Sequence, residues 1–328
     1  MTTLHLSLAC GDYEIVRALM DGTVKPDGIA LTMLTQMDSA TRHWRMMRNG
    51  EFDAAEYSLS SYLMAKDRGL PFTAIPVFLH RRFRHGFIFI NAKAGIDKPK
   101  DLIGKRIGVK TFQTTAIMWL RGMLHNDYGV KQTDVEWFVE LEEEIDFTPK
   151  KELKLTKLPP GKDVEKMLVA GELDAVLHSD LIDPLLEGDT RIRRLFVNND
   201  EVEKDYFKAT GIFPIMHVMA LRKDLVGENP WVPYNLLRAF EASKRAAYAR
   251  LQNPRIVPLA WYRSYQEQEQ AILGSDPWEY GLTERNRKNL STAIKYSHQS
   301  GLISREIPVD ELFEDCTVGR GRGERMRI

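Results

Sequence analysis

Cysteine is scarce in this sequence, and long apolar runs are missing from it. The two cysteines, Cys10 and Cys316, lie far apart and form neither a CxxC pair nor a Cys/His ligand pattern. This argues against a disulfide framework and against a structural zinc site. No apolar run approaches the roughly 20 residues of a membrane-spanning helix. The early apolar run Leu4–Ala9 is too short for a secretory signal and has no basic start. We therefore expect a cytoplasmic protein without a membrane partner.

Net charge and the best-known ligand-binding motifs are also absent. The 46 Lys and Arg residues balance the 46 Asp and Glu residues, so no overall field attracts nucleic acid, and we expect no nucleic-acid partner. The sequence has no GxGxxG opening a first helix, no Walker loop, no HExxH and no GxSxG. Nucleotide, zinc-protease and serine-hydrolase chemistry are therefore disfavoured.

Short apolar runs alternate with helical segments along most of the 328 residues, which predicts an α/β fold with mainly parallel sheets. Residues 92–213 repeat the pattern and predict a second α/β lobe inserted into a first lobe of residues 1–91 plus 214–328. Two crossings between lobes make a hinge, and the ligand is expected in the cleft between them. The first lobe ends in a helical C-terminal extension that is large enough to support a homo-oligomer. Residues 142–160, charged and rich in proline, are interpreted as an exposed excursion.

A basic loop, residues 80–86, joins two predicted strands at residues 72–79 and 87–90. A solvated basic turn is the simpler interpretation. However, the loop lies between strands expected to be buried, and Arg is suited to a bidentate grip on a carboxylate. We therefore interpret Arg81, Arg82 and Arg84 as the anion clamp of a small-molecule site.

Small polar residues follow several predicted strands, where ligands of parallel α/β sheets bind near helix N-termini. The candidate substrate-binding residues at these junctions are Ser58, Ser60, Ser61, Thr114, Thr115 and His178. Each junction alone is explained by helix capping. Two facing junctions, one in each lobe, together with the arginine loop favour an anionic ligand, and a compound with two carboxylates would use both.

Three residues are candidate proton donors. Glu56 lies near the end of a strand expected to be buried, so it must pair with a cation or shift its pKa upward. It either pairs with an arginine of residues 81–84 or acts as an acid–base group. His85 and His217 are either core histidines or donors near neutral pH, and His217 lies at the second lobe crossing. The sequence does not rank the three.

Several segments carry a family resemblance: SLSSYL at 58–63, FRH at 83–85 and TGIFPIMH at 210–217, with a less specific GKRIGV at 104–109. Between residue 4 and about residue 255 the chain resembles the 4,5-dihydroxyphthalate decarboxylases, whose fold is similar to that of type II periplasmic binding proteins. The sequence departs from the family at residues 55–58, where Ser-Glu-Leu-Ser is expected, and over residues 142–162. These departures bear on the substrate more than on the fold.

The resemblance implies non-oxidative decarboxylation of a hydroxylated aromatic dicarboxylate, 4,5-dihydroxyphthalate, to protocatechuate and CO2. The arginines would clamp the carboxylate that stays, one of Glu56, His85 and His217 would protonate the ring carbon, and Phe213 would be a ring-stacking wall. Catechol oxygens bind hard cations, but the sequence shows no ligand cluster, and we expect no metal or other cofactor to be required. The alternative is a carboxylate-binding receptor of the ABC-transporter type that catalyses nothing.

Overall fold

The computed structural model describes residues 3–316. The strands are β1 (Leu4–Ala9), β2 (Ile29–Leu34), β3 (Ala54–Ser58), β4 (Phe72–Ile75), β5 (Ile88–Asn91), β6 (Arg106–Val109), β7 (Glu136–Val139), β8 (Lys154–Lys157), β9 (Ala175–Leu177), β10 (Ile192–Arg194) and β11 (His217–Arg222). The α-helices are α1 (Arg17–Met20), α2 (Ser39–Asn49), α3 (Leu59–Asp67), α4 (Thr115–Asn126), α5 (Val164–Ala170), α6 (Asp183–Leu186), α7 (Asn199–Thr210), α8 (Lys223–Glu228), α9 (Val232–Leu251), α10 (Tyr262–Leu273) and α11 (Glu284–Gln299). Within this range no helix combines the length and apolar character needed to cross a bilayer.

Two mixed sheets form the two lobes, which confirms the predicted two-lobed α/β fold. The first sheet has the order β2-β1-β3-β11-β4, and the second has the order β10-β5-β9-β6-β7-β8. In the first sheet β1 pairs in parallel with β2 and β3, whereas β11 runs antiparallel to both β3 and β4. The chain that returns from the second lobe enters the first sheet at the cleft, so it runs opposite to the strands that lead toward the cleft. The sheets are therefore less parallel than the sequence predicts.

The first crossing between lobes lies earlier than predicted. Strand β5 pairs antiparallel with β9 and β10, so it belongs to the second sheet and the boundary expected at residue 91 moves to before residue 88. The two crossings run side by side: the Met216 N–H donates to the His80 carbonyl at 2.9 Å, and the Arg82 N–H donates to the Pro214 carbonyl at 3.1 Å. This pairing brings the basic loop next to β11.

The C-terminal helix α11 contacts both α3 of the first lobe and α4 of the second. Tyr296 packs edge-on against Trp119 and lies over Gly122, where an added Cβ would come within 2.0 Å of its ring. Only glycine permits this approach of α11 to α4. The segment 142–160 is not the exposed excursion that was predicted, because Ile145 and Leu153 are buried and β8 extends the second sheet.

Two helix starts shape the cleft. Helix α3 begins after Ser58, whose side-chain oxygen accepts a hydrogen bond from the Ser61 N–H at 3.4 Å. Helix α4 begins after Thr114, whose side chain makes no such cap. Free N–H groups and a positive dipole end are therefore presented at the start of α4.

Candidate active site

A cavity of about 380 Å³ lies between the lobes, where β1, β3, β6, β7 and β9 end. This is the edge at which open α/β sheets bind ligands. The cavity is lined by Tyr13, Ser39, Ala40, His43, Trp44, Ser58, Ser61, His80, Arg84, Lys110, Thr111, Gln113, Thr114, Thr115, Ala116, Leu141, Glu142, Glu144, Ser179, Asp180, Met216 and His217.

Glu56 lies directly behind this cavity as a fully buried carboxylate. Arg42 of α2 donates to its Oε2 at 2.7 Å, the Gly11 N–H donates to the same oxygen at 2.8 Å, and the Tyr13 hydroxyl donates to Oε1 at 2.9 Å. Burial alone would raise the pKa of Glu56, but His217, Arg42 and the Gly11 N–H outweigh it and hold that pKa well below its usual range. Glu56 is therefore ionised at neutral pH.

His217 makes the fourth contact to this carboxylate, with Nδ1 at 2.6 Å from Oε1. An ionised carboxylate only accepts hydrogen bonds, so Nδ1 carries a proton and donates it. The sheet register brings the two side chains together: His217 pairs with Ser58 and Met219 pairs with Glu56, which places all four on one face. Fixing Nδ1 in this way directs the second ring nitrogen, Nε2, to the cavity.

Two further imidazoles flank His217. The rings of His43 and His80 lie edge-on to it, with centroids 4.9 and 4.8 Å away. Burial, followed by the charge at His217, lowers the pKa of His80 to about 2 and lowers that of His43 far below its usual range. Both are therefore neutral at physiological pH. Of the three imidazoles, His217 is the one in contact with a carboxylate.

Arg84 is a buried cation with weak partners. Its Nη1 donates to the Ser179 carbonyl at 2.6 Å, while Nε and Nη2 point at the Met216 sulfur at 3.1 and 2.7 Å. Burial, with a contribution from Arg82, lowers the pKa of Arg84 to about 9, so it stays charged at neutral pH. Among residues 3–316 no carboxylate comes within ion-pair distance of this guanidinium. Thioether sulfur is a weak acceptor, so the cation is available for a stronger one.

The lobes touch through hydroxyl groups beside the cavity. The Ser58 and Thr115 hydroxyls are 2.8 Å apart, and the Ser60 N–H donates to the Thr115 hydroxyl at 3.0 Å. On the second lobe, Lys110 lies 3.2 Å from Glu140 and 3.6 Å from Glu165, so its charge is already paired.

The structure brings about half of the predicted site residues together. Those lining the cavity are Ser58, Ser61, Arg84, Thr114, Thr115 and His217, with Glu56 one layer behind. Those outside it are Ser60, Arg81, Arg82, His85, His178 and Phe213. Of the two alternatives for Glu56, pairing with an arginine of residues 81–84 is wrong, since the arginine that pairs with it is Arg42.

Arg81 and Arg82 do not reach the cavity, which corrects the predicted three-arginine clamp. Arg81 is buried on the other side of the loop, where it donates to the Phe213 carbonyl at 3.3 Å, the Glu279 carbonyl at 2.9 Å and the Asn286 side chain. Arg82 lies at the surface, 3.3 Å from Asp180. Arg81 is directed away from the cavity by its buried partners and Arg82 extends to Asp180 at the surface, so of the three arginines Arg84 lines the cavity.

The remaining corrections concern aromatic and imidazole rings. His85 is buried among the rings of Tyr128, Phe196 and Tyr206, at 5.0 to 6.1 Å, and within the described residues 3–316 neither of its nitrogens has a hydrogen-bond partner. Phe213 stacks on Phe83, at 4.8 Å, outside the cavity.

Two further predicted polar residues, His178 and Ser60, do not line the cavity. His178 accepts from the Asp180 N–H at 3.1 Å, and its neighbours Ser179 and Asp180 line the cavity instead. The hydroxyl of Ser60 is buried and has no hydrogen-bond partner in the part of the chain that the structure describes.

Sequence reasoning missed several contributors: Tyr13, Arg42, His43, His80, Lys110 and Glu144. Arg42 and His43 lie on a helix that resembles an ordinary charged surface helix, and no local pattern marks them. His80 belongs to the same basic loop as His85, so the argument that made His85 a candidate proton donor applied equally to His80. Within residues 3–316 no group of three or more His, Cys, Asp or Glu side chains is placed to hold a metal ion.

Comparisons with known proteins place the chain in a class and a family. The two lobes and their cleft define the class of periplasmic-binding-protein-like proteins: an alkanesulfonate-binding protein from Xanthomonas axonopodis pv. citri superposes with a TM-score of 0.56 at 13% identity, over 95% of this chain and 99% of that one. At this identity the likeness concerns the fold alone. A family profile described as NMT1/THI5 like matches residues 15–148.

The sequence relatives are more specific. The 4,5-dihydroxyphthalate decarboxylase of Comamonas testosteroni is 34% identical over 327 residues, covering 97% of this chain and 98% of the relative. The enzyme of the same name from Pseudomonas putida is 36% identical over 216 residues, covering 64% and 83%. The chain therefore belongs to the 4,5-dihydroxyphthalate decarboxylase family, which confirms the resemblance predicted from the sequence.

Proposed function

We propose that this protein is a carboxy-lyase that converts 4,5-dihydroxyphthalate to protocatechuate and CO2. The observation that carries the proposal is the pairing of a buried, ionised Glu56 with a histidine that faces the cavity. The same cavity is lined by Arg84, which has no carboxylate partner among residues 3–316. The names of the two decarboxylase relatives support the choice of substrate.

Arg84 binds the carboxylate that stays on the ring. A carboxylate is a far stronger acceptor than the Met216 sulfur that Nε and Nη2 contact, so both donors turn to it in a bidentate grip. The uncapped start of α4 at Thr114 and Thr115 offers backbone N–H groups to the second carboxylate. These two features lie on opposite lobes, so a dicarboxylate draws the lobes together.

His217 is the proposed proton donor. In its doubly protonated form Nδ1 is held by Glu56, and Nε2 carries the proton that the ring carbon requires. Glu56 fixes the ring orientation and stabilises the imidazolium, while Arg42 balances the second carboxylate oxygen. His43 and His80 stay neutral, so they add no competing charge around His217.

The reaction consumes one proton. The ring carbon that bears the departing carboxylate takes the proton from Nε2 with an electron pair of the ring, which a para hydroxyl replenishes. The bond from that carbon to the carboxylate then breaks, its electron pair restores the aromatic ring, and CO2 leaves. Leu141, Met216 and Ala116 supply apolar lining where the neutral CO2 forms. His217 recovers its proton from solvent.

The test is direct. Purified protein is incubated with 4,5-dihydroxyphthalate, 4-hydroxyphthalate and phthalate, and CO2 release and aromatic products are followed. We expect turnover of the first compound and none of phthalate, which lacks a para hydroxyl. Binding of all three without CO2 release would overturn the proposal and leave the non-catalytic carboxylate receptor as the function.

Three expectations from the sequence stay predictions. Activity that survives dialysis against a chelator is the result expected if no metal is required. Cell fractionation tests the cytoplasmic location, and sedimentation of the purified protein tests the homo-oligomer.

A further inference from the structure

Glu144 is one of three acidic side chains that line the cavity and that the mechanism above does not use, beside Glu142 and Asp180. It follows β7 in the second lobe and reaches across the cleft to the first lobe. There the Tyr57 hydroxyl donates to its Oε1 at 2.9 Å, and the Ser61 hydroxyl donates to its Oε2 at 2.7 Å. The carboxylate is thus held in a fixed position on the cavity wall.

This carboxylate has only neutral partners. In the part of the chain that the structure describes, no Lys, Arg or His side chain lies within ion-pair distance of Glu144. Burial raises the pKa of Glu144, although the hydrogen bonds from Ser61 and Tyr57 oppose the shift. Each oxygen has accepted one hydrogen bond and can accept another. The unused acceptor capacity lies beside the cavity.

A hydrogen-bond acceptor at this position means that different parts of the cavity favour different groups of a ligand. Arg84 and the start of α4 favour the carboxylates of a ligand, whereas Glu144 repels a carboxylate and favours a hydroxyl. A receptor for a simple dicarboxylate gains nothing from such a group. A ring that carries carboxylates on one side and hydroxyls on the other offers carboxylates to Arg84 and the start of α4, and a hydroxyl to Glu144.

We propose that Glu144 accepts a hydrogen bond from the ring hydroxyl para to the departing carboxylate, and so selects hydroxylated aromatic acids over acids without that hydroxyl. The proposal rests on the proposed function and adds the residue that recognises the hydroxyl side of the substrate.

The hydrogen bond also contributes to the chemistry. As Nε2 of His217 delivers its proton to the ring carbon, the hydroxyl proton moves to Glu144, and the oxygen electron pair enters the ring to give a neutral dienone. Loss of CO2 returns an electron pair to the ring and leaves a phenolate. Protonated Glu144 returns the proton to this oxygen, so the carboxylate is regenerated and only the proton from His217 is consumed.

Glu144→Gln tests the proposal, with Glu152→Gln as the matched control. Glu152 is an exposed acid of the same segment, so the control makes the same chemical change away from the cavity. For each variant the dissociation constants of phthalate and 4,5-dihydroxyphthalate, the kcat for CO2 release and the unfolding midpoint are measured. Phthalate reports on the carboxylate side of the cavity alone.

We expect Glu144→Gln to lower kcat about 100-fold, and to weaken 4,5-dihydroxyphthalate binding about 10- to 100-fold relative to phthalate. Glu152→Gln should change neither quantity. Equal losses for the two ligands would mean a purely structural role and overturn the proposal, as would an unchanged kcat. If Glu144→Gln does not fold, Glu144→Asp replaces it: the shorter carboxylate should lose part of the preference for the hydroxylated ligand, and an unchanged preference contradicts the proposal. A wild-type protein without CO2 release refutes the proposed function instead, before any variant is compared.

Discussion

His217 and His85 are two histidines that the sequence ranks equally as proton donors, and their surroundings in the structure are opposite. His217 contacts an ionised carboxylate through Nδ1 and lines the cavity. His85 lies among three aromatic rings, neither of its nitrogens has a hydrogen-bond partner within residues 3–316, and burial lowers its pKa to about 4. The first environment holds a proton at a defined atom, and the second disfavours the doubly protonated ring.

The same contrast separates Arg84 from Arg81. Both guanidiniums are buried in one loop, but Nη1 and Nη2 of Arg81 donate to two backbone carbonyls and Asn286, whereas Arg84 faces the cavity with a sulfur as its partner for two donors. Residue type is therefore shared by the site residue and the structural residue in each pair, and the two arginines share their burial as well. The partners on the other side of the hydrogen bond make the difference.

The largest expected effect comes from substituting the two histidines one at a time. His217→Gln should lower kcat about 10²- to 10⁴-fold, because the positioned proton donor is lost. His85→Phe should leave kcat nearly unchanged, since phenylalanine fits the aromatic surroundings. CO2 release under saturating substrate measures both. A full rate in His217→Gln, or a comparable loss in His85→Phe, would reverse the assignment.

The next effect concerns the charge behind His217. Arg42→Met removes one partner of a fully buried ion pair and should cost about 3–5 kcal/mol of unfolding free energy. Arg45→Met is the control on the same helix, because Arg45 pairs with Glu51 at the surface and should matter much less. Urea unfolding of both variants measures the difference. Similar losses in the two would mean that the buried network adds little.

The two arginines give a smaller and more selective effect. Arg84→Gln should weaken phthalate binding about 10- to 100-fold, since a charge-assisted hydrogen bond to a carboxylate is lost. Arg81→Gln should lower the unfolding midpoint, and the folded fraction should bind phthalate as the wild type does. Isothermal titration beside thermal unfolding separates affinity from stability. Unchanged affinity in Arg84→Gln is the outcome that contradicts the clamp.

The smallest effect is a pH dependence of stability. Burial holds the pKa of His85 at about 4, below its ordinary 6.5, so the unfolded chain binds that proton first as the pH falls. The folded state therefore loses stability below about pH 6.5, by about 1.4 kcal/mol per pH unit for one such group. His85→Phe should remove this contribution. Denaturation midpoints of wild type and variant between pH 7.5 and 5 should diverge, and parallel curves would show that His85 is not buried neutral.

The fold was largely readable from the sequence because short apolar runs mark strands wherever both faces are buried. The position of β11 was not, since its antiparallel place between β3 and β4 depends on how the chain returns from the second lobe. Strand β8 was missed because Lys154–Lys157 is an exposed, charged edge without an apolar pattern. The activity was predicted from the resemblance to the family, because no local sequence pattern indicates it.

The candidate site was readable only in part. Glu56 was identified because it is a charged residue in a strand expected to be buried, and His217 because it lies at a lobe crossing. Arg42 and Glu144 were missed because each is an ordinary charge in a charged segment, and only the tertiary fold turns it inward. The loop orientation that faces Arg84 toward the cavity and Arg81 away from it depends likewise on contacts made far along the chain.

A crystal structure with phthalate bound tests the central claim most directly. We expect one carboxylate on the Arg84 guanidinium and the ring carbon that bears the other within about 3.5 Å of His217 Nε2, a reactive separation. Phthalate bound without Arg84, or with its ring turned away from His217, would contradict the claim that these two residues form one site.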